Sequence, residues 1–288
     1  MGNKSEIQWT DATWNVARGC KKVDKDCKYC YMYRQSLNNT RYFADQVTKT
    51  KTVFTLPLHY KETTSQCWDG NPLIFTSSLT DFFIEEIDEY RHEAWEIIRK
   101  CPHLTFQILT KRPERITACL PPDWGDGWDN VWLGTSVGSM EGIKRIDYML
   151  GVRCKTRFLS LEPLHGLLDL EYPKEIFPTG PQICCNGHEC GCMGLPVDPP
   201  IIYGFDWVIV GGESGNDNGK YKYRPCNLSW IEGIISLCKQ FMVPVFVKQV
   251  GTYLAKEMQM SERNGGNFDE FPKSIQFREF PKPPIKSL

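Results

Sequence analysis

The chain has 288 residues, of which 41% are apolar and 12% aromatic, and its formal net charge is −1. That length accommodates one large domain or two small ones, and the composition is that of a globular protein, not a disordered or fibrous one. A net charge near zero excludes a bulk electrostatic pull towards nucleic acid or acidic membranes, and no apolar run approaches the roughly 18 residues of a membrane span.

The first residues, Met-Gly-Asn-Lys-Ser-Glu, lack the apolar core of a signal peptide. Glu6 stands where a myristoylation pattern needs Ser or Thr. Thirteen cysteines without such signals lead us to expect a reducing, cytoplasmic setting, where clustered thiols bind metal more readily than they pair. An odd count also argues against a full set of intramolecular bridges.

A first strand is expected to lead into a loop that carries Cys20, Cys27 and Cys30, spaced C-x6-C-x2-C. Three thiolates, not four, suit a [4Fe-4S] cluster that keeps one iron open for a small molecule. Arg18, Lys21, Lys22, Lys25 and Lys28 crowd this loop. They are either a solvated face or an attractor for an anionic substrate at the cluster mouth.

Six further runs read as strands: 73–76 (LIFT), 104–109 (LTFQIL), 131–134 (VWLG), 157–161 (RFLSL), 207–210 (WVIV) and 243–247 (VPVFV). They are apolar on both faces, as in a buried parallel sheet. Helical periodicity lies between them. Ile84, Ile87, Trp95 and Ile98 mark a helix over 84–100; Ile143, Ile146, Tyr148 and Leu150 mark one over 140–150. Trp230, Ile231, Ile234, Ile235 and Leu237 mark a third over 228–241, with Asn227 or Ser229 as its N-cap.

Strands alternating with helices predict an α/β fold, a complete or partial (β/α) TIM-like barrel, with an open doubly wound sheet as the runner-up. Barrel enzymes place their chemistry at the C-terminal ends of the strands. Here those ends are polar: Ser77, Lys111 and Arg112, Thr135 and Ser136, Glu162, Glu213, and Lys248. Each alone is ordinary turn chemistry; their recurrence points to a site.

We expect the barrel to span 1–251, interrupted by an insertion at about 172–204 that is rich in Pro, Gly and Cys, and a tail over 252–288 to pack on the barrel. Within the insertion, Cys184, Cys185, His188, Cys190 and Cys192 fall in nine residues. They form a candidate second metal site, for zinc or an auxiliary iron–sulfur cluster, unless the segment is a bare reduced loop. Cys67, Cys101, Cys119, Cys154, Cys226 and Cys238 are scattered and read mostly as small buried apolar residues.

Several blocks resemble the phage Gp37/Gp68 family, the three-Cys-motif proteins (DUF5131). At the N-terminus these are IQWTDATWNVARGC and CKYCY, with Trp9, Thr10, Trp14, Asn15, Gly19, Cys20, Cys27, Cys30 and Tyr31 matching. Farther on come FTSSLTDFF around Asp81, LTKRPER, LGTSV, SLEPL, WVIVGGESG and FVKQVG, in that order. The resemblance covers most of the chain outside the insertion and tail. It implies a barrel of the radical S-adenosylmethionine (SAM) type, in a phage or prophage setting, without a defined reaction.

The Lys28–Tyr29 pair makes the end of the cysteine loop C-x-aromatic-C, as in radical SAM enzymes, although their usual first gap is three residues and this one is six. That likeness implies SAM on the open iron, a 5′-deoxyadenosyl radical, and an electron donor of the flavodoxin or ferredoxin type. Gly211-Gly212-Glu213 resembles the GGE motif that contacts the SAM amino group, but follows a late strand where the usual motif follows the second. A glycine turn with a solvated Glu213 is the plain alternative.

Ser77 and Asp81 sit nearer the usual place of that motif. Thr135 and Ser136 are candidates for ribose, Glu162 for a SAM or substrate hydroxyl, and Tyr29 for packing near adenine. Lys111, Arg112 and Lys248 are candidates to neutralise a substrate carboxylate or phosphate. The substrate class expected from a phage setting is a nucleic acid, nucleotide or base. Two other functions remain open. One is a zinc protein using the three-Cys loop, which contains no His and has His59 as the nearest. The other is a non-catalytic iron–sulfur protein for redox sensing or partner binding.

Overall fold

The computed structural model describes residues 5–37, 43–170 and 200–282. Seven strands form one parallel sheet: β1 (Ala12–Trp14), β4 (Leu73–Thr76), β5 (Thr105–Thr110), β6 (Val131–Ser136), β7 (Thr156–Leu164), β8 (Trp207–Gly212) and β9 (Val245–Gln249). A two-stranded antiparallel ribbon, β2 (Ala17–Arg18) and β3 (Thr48–Lys49), stands beside it.

The strands of the large sheet lie side by side in chain order. A doubly wound sheet reverses its strand order partway; this one does not, and it curls into a half-barrel. The six predicted runs are all strands. Several extend farther at the C-terminal end than their apolar stretches suggest. β7, for example, continues through Glu162 and Pro163 to Leu164, which is again buried in the larger core.

Alternation along the strands separates two cores. Phe106, Ile108, Leu133, Leu159, Val208 and Val247 belong to the larger core, with the apolar faces of α2 (Asp88–Lys100) and α5 (Leu228–Gln240). Their neighbours Leu73, Phe75, Trp132, Phe158, Trp207 and Phe246 form a second cluster with Trp9. This aromatic cluster fills the N-terminal half of the barrel interior, each fully buried large side chain contributing about 1.5–3 kcal/mol. The C-terminal half is left to polar side chains.

The helix expected over 84–100 is a 3-10 turn (Glu85–Ile87) running into α2, and that over 140–150 is a 3-10 turn (Met140–Gly142) followed by α4 (Lys144–Leu150). Asn227 caps α5, its side chain accepting from the Ser229 N–H. Short α1 (Tyr31–Ser36), α3 (Ile116–Cys119) and α6 (Gly251–Glu257) complete the helices among the described residues.

The candidate second metal site at Cys184, Cys185, His188, Cys190 and Cys192 lies outside the described residues. Ile201 and Ile202 are already in the larger core, so the barrel resumes before β8. The chain after α6 returns to the sheet. Val247 N–H donates to Phe277 O at 2.8 Å and Glu279 N–H to Val245 O at 3.0 Å, pairing the free edge of β9. Phe280 then stacks on Trp207 with ring centroids 5.2 Å apart. No helix among the described residues is long and apolar enough to cross a membrane.

Candidate functional site

The three-Cys loop leaves β2 at Gly19, whose φ of +92° only glycine adopts without strain. A Cβ there would stand 2.1 Å from Gln46 O. The loop crosses the C-terminal mouth of the half-barrel, includes a 3-10 turn (Lys25–Cys27), and ends with Cys30 as the N-cap of α1. All nine cysteines among the described residues are free thiols, and Cys20, Cys27 and Cys30 are each partly buried.

Four sides of the barrel hold this loop. Asp26, buried immediately before Cys27, accepts from Gly138 N–H at 3.0 Å, Ser139 Oγ at 3.0 Å and Arg145 Nη1 at 3.0 Å, and contacts His165 Nε2 at 2.8 Å. Asp24 also pairs with Arg145. On another side, Arg112 donates to Lys21 O at 2.8 Å while its other nitrogen bonds Asp81 at 3.1 Å. Arg224 donates to Lys25 O at 2.8 Å and is fixed by both oxygens of Glu213, at 2.6 and 2.8 Å. Tyr33 donates to Cys20 O from α1.

Electrostatics mark the thiols. Burial pushes the Cys20 thiol up to about 12; the Asp81 carboxylate adds to this, the Arg112 guanidinium opposes it, and Cys27 and Cys30 add further. Burial likewise raises Cys30, against which backbone N–H groups and Lys111 act. As bare groups, Cys20 and Cys30 therefore hold their protons. A metal centre displaces such protons outright.

The donor set fits an iron–sulfur cluster. Among the described residues no three His, Cys, Asp or Glu side chains converge tightly enough for a single metal ion. Three thiols from one short loop are the ligand type that iron–sulfur clusters take.

Ser77, at the end of β4, is the residue most suggestive of a missing partner. Its φ is +69°, in the left-handed region, and its hydroxyl is buried without a hydrogen-bond partner. Backbone strain of about 1–3 kcal/mol and an orphaned buried hydroxyl are typical of ligand clamps.

Inside the mouth, polar side chains form a chain across four strands. Lys111 Nζ donates to Ser136 Oγ at 2.9 Å, Ser136 Oγ to Glu162 O at 2.7 Å, and Lys248 Nζ to Glu162 Oε1 at 2.6 Å. Glu162 reaches Lys248 over β8 because Gly211 lies between them: a Cβ there would be 3.4 Å from the Glu162 carboxyl carbon.

The remaining candidates are occupied elsewhere. Asp81 accepts from Phe83 N–H, Thr110 Oγ1, Lys111 N–H and Arg112, which makes it a clamp between the β4 and β5 ends. Thr135 Oγ1 donates to Thr110 O at 3.0 Å within the sheet. Glu213 is committed to Arg224, and Tyr29 lies between two cations, Lys28 at 5.0 Å and Arg224 at 5.7 Å from its ring. Sequence reasoning passed over Asp26, Arg145, His165 and Arg224. A carboxylate within a cysteine loop was the one available signal.

The family described as "Protein of unknown function (DUF5131)" matches residues 4–275, and the chain belongs to that family. No curated protein matches the chain. No solved structure matches it.

Proposed function

We propose that the chain is a radical SAM enzyme, with a [4Fe-4S] cluster held by Cys20, Cys27 and Cys30 and a nucleotide, nucleic acid or base as substrate. The observation that carries this reading is the placement of three free, partly buried thiols on one loop over the C-terminal mouth of a parallel half-barrel. That is the end at which such folds do chemistry. When bound and reduced, such a cluster would supply the one electron that splits SAM into methionine and a 5′-deoxyadenosyl radical.

The chain's own residues orient and shield. Asp26, Arg112 and Arg224 fix the loop so that the thiols keep their spacing. The Ser77 hydroxyl offers a hydrogen bond to a polar group of SAM. Lys111 and Lys248 bring positive charge to the mouth, where a substrate carboxylate or phosphate would sit. The aromatic cluster beneath them closes the barrel floor against water. An electron donor of the flavodoxin or ferredoxin type would supply the electron from outside.

The test uses anaerobically purified, reconstituted protein. Iron and sulfide are quantified, dithionite and SAM are added, and 5′-deoxyadenosine is assayed by mass spectrometry. About four irons per chain with 5′-deoxyadenosine formation is the expected result. Bound zinc with neither cluster nor SAM cleavage would overturn the proposal.

A further inference from the structure

A cavity of about 390 Å³ opens beside the cysteine loop, at the C-terminal ends of β8 and β9. Its wall comes from Arg34 on α1, Ser214, Gly215 and Asn216 after β8, Thr252 on α6, and Arg263 and Asn264 beyond α6. Two guanidinium groups thus share one cavity, and no carboxylate lines it.

Neither arginine has a carboxylate partner within the lining of the cavity. Among the described residues Arg34 has no acidic partner; one of its nitrogens donates to Ser214 O at 3.2 Å. Arg263 reaches Asp217 only at 3.8 Å, and that carboxylate is already engaged by Lys256 and by the Tyr223 hydroxyl. Holding two like charges against one cavity is unfavourable unless an anion enters.

The geometry points to an anion subsite in which Arg34 and Arg263 grip a phosphate group of the substrate beside the three-Cys loop. This rests on the proposed reading for the meaning of "substrate", and it narrows that class to phosphate-bearing molecules. Two planar forks suit the several oxygens and the double negative charge of a phosphate monoester better than a single carboxylate. The volume exceeds that of a phosphate alone, so an attached sugar fits. Loops after the last strands are also where β/α barrels commonly hold phosphate. Arg34 is one helical turn from Cys30, its N–H donating to Cys30 O at 3.2 Å. A phosphate gripped there would seat the rest of the molecule next to the cysteines.

The experiment is calorimetric titration of the full chain with a deoxynucleoside monophosphate, the matching deoxynucleoside, inorganic phosphate and SAM. It is repeated on Arg263→Gln and Arg34→Gln. Arg263 is half exposed, so its variant tests the site even if Arg34→Gln folds poorly. We expect the monophosphate to bind at least about tenfold more tightly than the nucleoside. Inorganic phosphate should compete with it, and each variant should lose about tenfold or more of that affinity while still binding SAM.

Equal affinity for nucleoside and monophosphate would overturn the subsite. So would SAM displacing inorganic phosphate together with loss of SAM binding in both variants, which would assign the pocket to the SAM carboxylate. Phosphate binding needs neither cluster nor SAM cleavage, so its failure leaves the radical reading standing, and the reverse also holds.

Discussion

Arg145 Nη1 donates to Asp26 Oδ2 across 3.0 Å, joining the residue before Cys27 to a helix 119 positions farther along the chain. Both side chains are almost fully buried, at 7% and 1% exposure. Removing Asp26 leaves Arg145 with Asp24 as its remaining carboxylate but strips the Gly138 N–H and the Ser139 hydroxyl of their acceptor, at about 1–3 kcal/mol for a buried donor left unsatisfied. We expect Asp26→Ala to lower the unfolding free energy by about that amount in urea titration. It should also lower the iron retained per chain. A loss below about 1 kcal/mol, the size of an exposed pair, would show that this contact does not anchor the loop.

Cys20 packs at the margin of the larger core, and Cys27 and Cys30 are partly buried, so loss of one sulfur leaves the sheet and its helices in place. Each single Cys→Ala variant should therefore keep its circular dichroism spectrum and lose no more than about 1 kcal/mol of stability. Each should nevertheless fail to retain a four-iron cluster or cleave SAM. A variant with full iron, sulfide and 5′-deoxyadenosine formation would remove that cysteine from the ligand set.

Gly211 permits the Glu162–Lys248 pair to close over β8. The methyl of Gly211→Ala would meet Gln249 O at 3.3 Å and the Glu162 carboxyl carbon at 3.4 Å. Overpacking of this kind costs about 1–3 kcal/mol. In a double-mutant cycle with Glu162→Gln and Lys248→Met, we expect a coupling of about 1 kcal/mol in the native background. It should vanish in Gly211→Ala. Unchanged coupling would mean that the pair does not pass over that glycine.

Phe280 and the strand-like segment before it protect both the floor and the edge of the sheet. Phe280→Ala should cost about 1–3 kcal/mol through loss of its contact with Trp207. Truncation before Phe277 should expose the N–H and C=O row of β9 and promote edge-to-edge association, visible in light scattering. A truncated chain that stayed monomeric would mean that this edge is protected by other means.

The strands were readable because a parallel sheet covered on both faces writes itself as continuous apolar runs, as in LIFT and WVIV. Their true ends were harder to place. Ser160 and Glu162 belong to β7 yet face a polar mouth, so apolar continuity stops before the strand does. The cysteines were legible from spacing alone. Their anchors were not, because Asp26 with Arg145, and Arg224 with Lys25 O, are contacts across 119 and 199 positions. Glu213 shows the same limit. Its glycine turn was visible, but its commitment to Arg224 depends on how residues 213–224 fold back. The approach of Arg224 to the Tyr29 ring is another contact that spacing in the chain does not reveal.

The cysteine loop precedes in the chain most of the elements that hold it. Apart from Tyr33, the clamps on it, from Arg112 to Arg224, come from segments that follow later strands of the sheet. Thiol spacing is therefore set by a finished barrel, and on the proposed reading a cluster would be inserted after folding. A half-made chain would present three loose, protonated thiols to a cluster donor. A completed chain presents one shaped socket, so the timing of maturation is written into the connectivity.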